Sequence, residues 1–155
     1  MDRWTELFRD APDLAAQARA RLTAGVRHVV ATRTLIGSPR VSGADVVWVG
    51  GALYLTAPAS SGKAADLRRD GRFQLHANPG GTGDREDVTI SGTARELAAD
   101  HPVREEVAAG LASARAPEQA SAPIATVFLL EPARAELVRR SDGALQVESW
   151  PTAGV

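Results

Sequence analysis

The chain has 155 residues, a formal net charge of −1 and a hydrophobic fraction of 44%, which suits one domain with a real core. Acidic and basic residues are mixed along it, against the basic face that a nucleic-acid binder needs, and no apolar run approaches the ~20 residues of a membrane-spanning helix. Cysteine is absent, which removes disulfides, thiolate catalysis and cysteine-held metals, and the opening Met1-Asp2-Arg3-Trp4-Thr5-Glu6 lacks the apolar stretch of a secretory signal, so a cytoplasmic location is expected.

Residues 1–24 read as helical. Trp4, Leu7 and Phe8 share one face, and Leu14, Ala18 and Leu22 another, with a restart at Pro12, a residue suited to a first turn. Gly25 is expected to end the run. Residues 28–35 are rich in β-branched side chains, Gly37-Ser38-Pro39 marks a turn, and 40–49 continues extended. Gly50-Gly51 is a two-residue hairpin signal. Leu53 and Leu55 then alternate with Tyr54 and Thr56. Pro58 to Gly62 breaks the pattern, with Ser61 as N-cap of a helix over 63–70 that Gly71 stops. Phe73, Leu75 and Ala77 alternate with Arg72, Gln74 and His76 as a fourth strand, and 78–84 reads as a flexible loop. Residues 87–97 form the clearest strand, with Val88, Ile90, Gly92 and Ala94 on one face. Asp100 is expected to cap a helix carrying Val103, Val107 and Leu111. A flexible loop is expected over 113–123, three last strands over 124–130, 133–139 and 144–150 with Asp142-Gly143 as a turn, and a tail over 151–155.

Most links are too short for parallel crossovers, which need a dozen or more residues. A mostly β, antiparallel barrel of one domain, 1–155, follows, because closing the sheet removes its exposed edges.

Ser60-Ser61-Gly62-Lys63 lies where a strand ends and a helix begins. The free N–H groups of a helix's first turn carry partial positive charge, Gly62 lets backbone approach a ligand, two hydroxyls add donors and Lys63 adds a full charge. A phosphate monoester is the expected guest. An ordinary capped helix with a solvated lysine uses the same four residues, so both readings stand on this stretch alone.

The surroundings extend the pattern. Gly37-Ser38-Pro39-Arg40, Trp48, Leu53-Tyr54-Leu55-Thr56, the run from Ser61 to Asp70, and Phe73-Gln74-Leu75 together resemble the pyridoxamine 5'-phosphate oxidase-like split barrels. Val88 to Glu96 is similar to that family's hydrophobic–Gly–x–Ala strand. The resemblance covers about 28–97 and extends toward Val147. It implies a six- to seven-stranded antiparallel split β-barrel with a few short helices. It also implies a homodimer with flavin mononucleotide (FMN), or the deazaflavin coenzyme F-420, at the subunit interface, and a small-molecule substrate. The family's Ser-x-Lys turn, which grips the cofactor phosphate, maps to Ser61 and Lys63. Thr56 and Ala57 would line the cofactor chain, and the second strand, Val41 to Asp45, would flank the ring system through its backbone. One departure stands out. The vitamin-B6 oxidases carry an arginine three positions after the proline of the second strand, where this chain has Ser42, and the neighbouring Arg40 is expected on the opposite face. With Lys63 the one firm counter-charge to a phosphate, oxidation of pyridoxamine phosphate is disfavoured, and the departure is compatible with the deazaflavin branch or with a barrel that has lost its cofactor.

Three functions fit these readings: an FMN- or F-420-dependent oxidoreductase in which the cofactor does the chemistry, a non-catalytic binding module for such a cofactor or for haem, and a cofactor-free dimeric barrel. No catalytic acid or base is assigned. His28, His76 and His101 are the histidines, none singled out as a haem ligand, and His76 and His101 are expected at the surface. Trp48 and Tyr54 suit core or dimer interface better than ring stacking. Arg68, Arg69 and the cluster Asp84-Arg85-Glu86-Asp87 are expected to be solvated. Trp4, Leu7 and Phe8 would cover either the barrel end or the partner subunit.

Overall fold

A computed structural model describes residues 1–78, 86–115 and 126–151. In chain order its elements are α1 (Arg3–Asp10), α2 (Pro12–Thr23), β1 (Arg27–Arg33), β2 (Pro39–Val49), β3 (Ala52–Ala57), α3 (Gly62–Arg69), β4 (Arg72–His76), β5 (Glu86–Glu96), α4 (Val103–Ala114), β6 (Thr126–Ser141) and β7 (Ala144–Trp150). All strand pairings are antiparallel. The order is β3-β2-β1-β4-β5-β6-β7, and β3 also pairs with β6. Six strands therefore close into a barrel, and β7 is an extra strand on its rim. Among the described residues no helix is long and apolar enough to cross a membrane.

The closure is partial, and β6 shows why. Its first segment pairs with β3, from Leu130↔Leu53 to Thr126↔Ala57, while its later segment, Ala135 to Ser141, pairs with β7. At the other side, β2 pairs with β1 from Pro39 to Asp45 but with β3 only from Asp45 onward. Pro39 to Ala44 thus keep one edge free of any strand, and that edge is the split in the barrel.

Residues 126–141 form one strand, not the two expected around Glu131-Pro132. Ser91 of β5 faces Arg134 and Gly92 faces Pro132, which leaves Ala133 as the extra residue of a bulge. A bulge tolerates the missing N–H of proline without ending the ladder. Gly92 is required there, since a Cβ at that position would lie 2.0 Å from the Glu131 carbonyl oxygen.

Other boundaries move for local reasons. β1 stops at Arg33, because Thr34 N–H bonds the Ser38 carbonyl (2.9 Å) and Gly37 N–H bonds the Thr34 carbonyl (2.9 Å). Leu35 and Ile36 consequently stand in an exposed turn. α2 ends on Ala24 in helical geometry, before Gly25, and the His28 ring takes up the Leu22 and Gly25 carbonyls (3.1 and 2.9 Å). α4 has Pro102 as its N-cap residue and no side-chain cap from Asp100. α4 also takes in Ser113 and Ala114 of the stretch read as a loop. The stretches 79–84 and 116–123 and the tail from Thr152 on fall outside the described residues. The two hairpin turns form as expected, with positive φ at Gly50, Gly51, Asp142 and Gly143, the geometry whose twist suits paired strands.

The N-terminal helices close one end of the barrel. Trp4, Leu7, Leu14, Ala18 and Leu22 join Val30, Val46, Leu55, Leu75, Ile90 and Phe128 in a single core. Trp48 meets Trp4 and Phe8 edge-on, at ring separations of 4.7 and 5.8 Å, and the Trp4 indole N–H donates to the Leu130 carbonyl at 2.7 Å. These aromatics cover the barrel end. α4 packs on the outside, where Val107 and Leu111 meet Leu97, Val127, Val47 and Tyr54.

The bulge contact sets a testable cost. Gly92→Ala should destabilise the protein by about 3 kcal/mol, the range of a forced backbone shift in a packed sheet, read as a lowered midpoint in urea unfolding. An unchanged midpoint would show that β5 and β6 can separate there freely.

Candidate functional site

β3 leaves the barrel at Ala57, and the chain turns through Pro58 to Ser61, closed by Ser61 N–H bonding the Pro58 carbonyl at 3.0 Å. Ser61 is the N-cap of α3, with Oγ accepting from the Ala64 N–H at 3.2 Å. Gly62 and Lys63, the first two helical residues, are left by helix geometry without intrahelical acceptors for their N–H groups. The turn lies beside the free edge of β2, where the Lys63 side chain reaches the Gly43 carbonyl.

Two cations flank this turn. Lys63 is half-buried and its Nζ donates to the Gly43 carbonyl on the split edge of β2. Burial is the main cause that lowers its pKa below the usual lysine value, the Arg27 charge adds to it, and Asp45 opposes it. The ammonium is therefore held in the groove between α3 and β2, not in bulk solvent. Arg40 lies across Gly62: a Cβ on Gly62 would stand 2.7 Å from the Arg40 Cζ and 2.8 Å from one terminal nitrogen. Its Nε donates to Asp66 Oδ2 at 2.7 Å, and among the described residues no acceptor meets its two terminal nitrogens.

This placement corrects the expectation for Arg40. Arg40 and Ser42 are two residues apart on β2 and so share a face, the face that carries buried Ala44 and Val46. Arg40 thus supplies the second positive charge that Ser42 does not. Ser42 is half-buried, and its Oγ is buried without a hydrogen-bond partner among the described residues.

Behind each cation stands a carboxylate. Asp66 is buried, its side chain only 3% exposed, and accepts from Thr32 Oγ1 (2.8 Å), Arg40 Nε (2.7 Å) and Arg69 (3.1 Å). Burial alone pushes its pKa up, but the bonds from Arg40, Thr32 and Arg69 together hold it below the usual aspartate range. Asp45 pairs with Arg27 at 3.2 Å and with Arg115 at the end of α4. Neither Asp66 nor Thr32 stood out in the sequence. The signal was available in strand alternation, which puts Thr32 opposite Arg40 in the β1–β2 register.

The remaining sequence candidates divide. Ser60 is exposed in the turn before α3. Thr56 and Ala57 are buried within the sheet, and the Ala57 carbonyl accepts from Thr126 Oγ1 at 2.5 Å. Arg68 and Arg69 are not simply solvated: Arg68 holds Glu96 through two bonds (2.7 and 2.9 Å), and Arg69 binds the Arg33 carbonyl (2.6 Å) besides Asp66. Glu86 likewise pairs with Arg139 and Arg21. His28 is buried and fully engaged, with Nδ1 accepting from the Asn78 N–H at 2.9 Å. His76 lies 3.6 Å from Asp87. Among the described residues no group of three or more potential ligands could hold a metal ion.

The chain has the fold of the pyridoxamine 5'-phosphate oxidase-like split barrels. No family model matches the sequence, and no curated protein does. Solved structures match over most of the chain. A heme binding protein from Mycobacterium smegmatis aligns with TM-score 0.69 at 22% identity over 88% of this chain; the match spans 58% of that protein's length. A protein of the pyridoxinephosphate oxidase family from Clostridium acetobutylicum, related to a general stress protein, aligns with TM-score 0.65 at 13% identity, over 86% of this chain and 92% of its own. A pyridoxamine 5'-phosphate oxidase-related, FMN binding protein from Nostoc punctiforme aligns with TM-score 0.56 at 14% identity, over 92% and 95%.

The contact of Arg40 with Gly62 can be tested without any ligand. Gly62→Ala should push the guanidinium off Asp66 while leaving the melting temperature within a few degrees, because alanine favours the helix over glycine by about 0.5–1 kcal/mol. Loss of a slowly exchanging Arg40 Nε–H resonance in NMR spectra is the expected readout; its persistence would place Arg40 elsewhere.

Proposed function

We propose that this chain is a flavin- or deazaflavin-dependent oxidoreductase that binds FMN or coenzyme F-420 through its phosphate at the Ser61–Lys63 turn. The observation that carries the reading is the meeting of three donor sets at the first turn of α3: the Lys63 ammonium, the terminal nitrogens of Arg40, which no acceptor among the described residues meets, and the N–H groups of Gly62 and Lys63. The phosphate monoester of FMN carries close to two negative charges at neutral pH, and Arg40 with Lys63 would balance them. The donor set fits such an anion. Gly62 has no side chain to intrude on it, and Ser42 Oγ offers a further donor that nothing else among the described residues uses.

When bound, a flavin-type cofactor supplies hydride or electron transfer. This chain's residues bind and orient it. Lys63 has three N–H donors, so it can keep Gly43 and still serve a phosphate oxygen. Ser61 Oγ accepts from Ala64, which leaves its own hydrogen to donate. The free β2 edge beside Gly43 offers backbone groups to the ring system. A small organic substrate would react at the exposed face of the ring. FMN binding by the Nostoc punctiforme neighbour supports this reading. Haem binding by the Mycobacterium smegmatis neighbour has less support here, since the buried histidine, His28, has both ring nitrogens occupied.

A second copy of the chain completes the proposal. Val29, the register partner of Gly43, and Val41, two residues before Gly43 on β2, point outward, Val41 being 67% exposed, and the turn between the two strands exposes Leu35 and Ile36. Covering it with a partner would bury these side chains and wall the groove beside Lys63.

Two experiments test the proposal. Lys63→Ala should weaken FMN about ten- to a hundredfold in calorimetric titration, the weight of about 1.5–3 kcal/mol for a hydrogen bond to a charged group, and leave riboflavin nearly unchanged; equal losses for both ligands would remove the phosphate from this turn. Val41→Glu should convert a dimer to monomer in sedimentation and release co-purifying cofactor, and an unaltered dimer would move the interface to another face.

A further inference from the structure

We propose that Asp66 is the positioning residue of the anion site, fixing the guanidinium of Arg40 so that its two terminal nitrogens face the incoming ligand. The inference rests on the phosphate reading of the Ser61–Lys63 turn and adds to it a residue with no ligand contact of its own. Asp66 sits inside α3, one turn beyond the site, and its carboxylate ties three elements together. Thr32 belongs to β1, Arg40 to β2, and Arg69 to the end of α3 itself. A buried carboxylate is costly unless it is paired and hydrogen-bonded, and these three donors meet that need.

The geometry of the bond matters more than its existence. Among the described residues Arg40 is hydrogen-bonded at Nε only. A guanidinium has five N–H donors in a rigid planar fork, so anchoring Nε sets the plane and leaves the terminal nitrogens unspent. One of them lies beside Gly62, where any side chain would collide with it. Without the anchor, a long arginine side chain on a free strand edge has many rotamers, and each must be given up when an anion binds.

The sign of the effect separates positioning from simple electrostatics. Asp66 is negative and close to the site. If only charge counted, removing it would leave Arg40 and Arg69 unneutralised and would strengthen phosphate binding. Positioning has the opposite sign: without Asp66 the anion should bind more weakly, although the local charge becomes more positive.

The test uses the full chain with FMN and riboflavin as probes, and reads the ratio of their dissociation constants, which isolates the phosphate. Asp66→Ala should lower FMN's advantage over riboflavin by about tenfold, roughly one charge-assisted hydrogen bond's worth of orientation, with riboflavin changed less than about twofold. In an Arg40→Ala background the same substitution should change the ratio by less than about twofold. Asp66→Asn keeps one carbonyl acceptor and the side-chain volume, and so provides a folded variant where alanine does not; its loss should be intermediate, about threefold. A ratio that rises in Asp66→Ala or Asp66→Asn would overturn positioning in favour of charge. Equal weakening of both ligands, or a loss undiminished by Arg40→Ala, would reduce Asp66 to a scaffold residue. If Lys63→Ala and Arg40→Ala lower the ratio while the Asp66 variants do not, the phosphate reading stands and this proposal fails. If the unmodified protein does not distinguish FMN from riboflavin, both fail together.

Discussion

One constraint shapes the rest of the molecule: β6 shares a single edge between two strands. Its first segment closes the barrel on β3, and its second carries β7. β3 is only six residues long, so it cannot run beside the whole of β2. An unpaired strand edge is a row of backbone donors and acceptors that must find other partners. Here the partner is a helix turn. α3 begins where β3 ends, and its first side chain beyond the glycine, Lys63, reaches the Gly43 carbonyl on that edge. The candidate site is thus a consequence of incomplete closure. A fully paired barrel would have no exposed carbonyl there and no groove in which to half-bury a lysine.

The electrostatics follow a single scheme on both flanks. Each cation at the groove has a carboxylate behind it: Asp66 behind Arg40, and Asp45 beside Arg27, Arg115 and Lys63. The two carboxylates differ in what they can do. Asp66 is enclosed by three donors and is held in its charged form by them, so it acts as a fixed strut between β1, β2 and α3. Asp45 is more exposed than Asp66 and is shared by two arginines. Its pair with Arg27, whose side chain is 70% exposed, contributes little stability, whereas Arg115 is mostly buried against it; both fix where positive charge sits. Positive charge exceeds negative around the α3 turn, which suits an anionic guest; the Lys63 pKa is lowered chiefly by burial, with the Arg27 charge adding to it.

The fold was legible in the sequence wherever local chemistry dominates. Gly50-Gly51 and Asp142-Gly143 can adopt the positive φ that a two-residue hairpin demands, and both do. The alternation of Val88, Ile90 and Ala94 fixed the inward face of β5, and all three are buried. The turn from β3 into α3 was equally local, since its N-cap Ser61 and the Gly62-Lys63 that follow are neighbours in the chain. What stayed hidden depends on pairs far apart. The bulge opposite Gly92 joins residues about forty positions apart, and Pro132 read as a strand break because proline usually is one. Asp66 meets Thr32 and Arg40 only when α3 docks on β1 and β2, and an aspartate in a short helix otherwise reads as solvated. Arg40 was within reach of sequence reasoning, because residues i and i+2 of a strand share a face; placing it opposite Ser42 was an error of register, not of information.

The two cations of the groove would meet an anion in different ways, and this bears on what the site can select. Lys63 is a flexible point charge that already holds a carbonyl, so its contribution is tolerant of ligand geometry. Arg40 presents a planar fork in one orientation, braced at Nε, and a fork rewards an anion whose oxygens match its spacing. A terminal phosphate monoester, free to rotate about its ester bond, can satisfy both groups at once. A phosphodiester within a longer chain has fewer free oxygens and a fixed direction, and would have to enter the groove along the β2 edge to reach them. On the reading proposed above, discrimination between FMN and F-420 would depend on the path beyond the turn, along Gly43 and the outward face carrying Val29 and Val41, more than on the anion contacts themselves. A partner subunit that covers that face would also set which cofactor tail can pass.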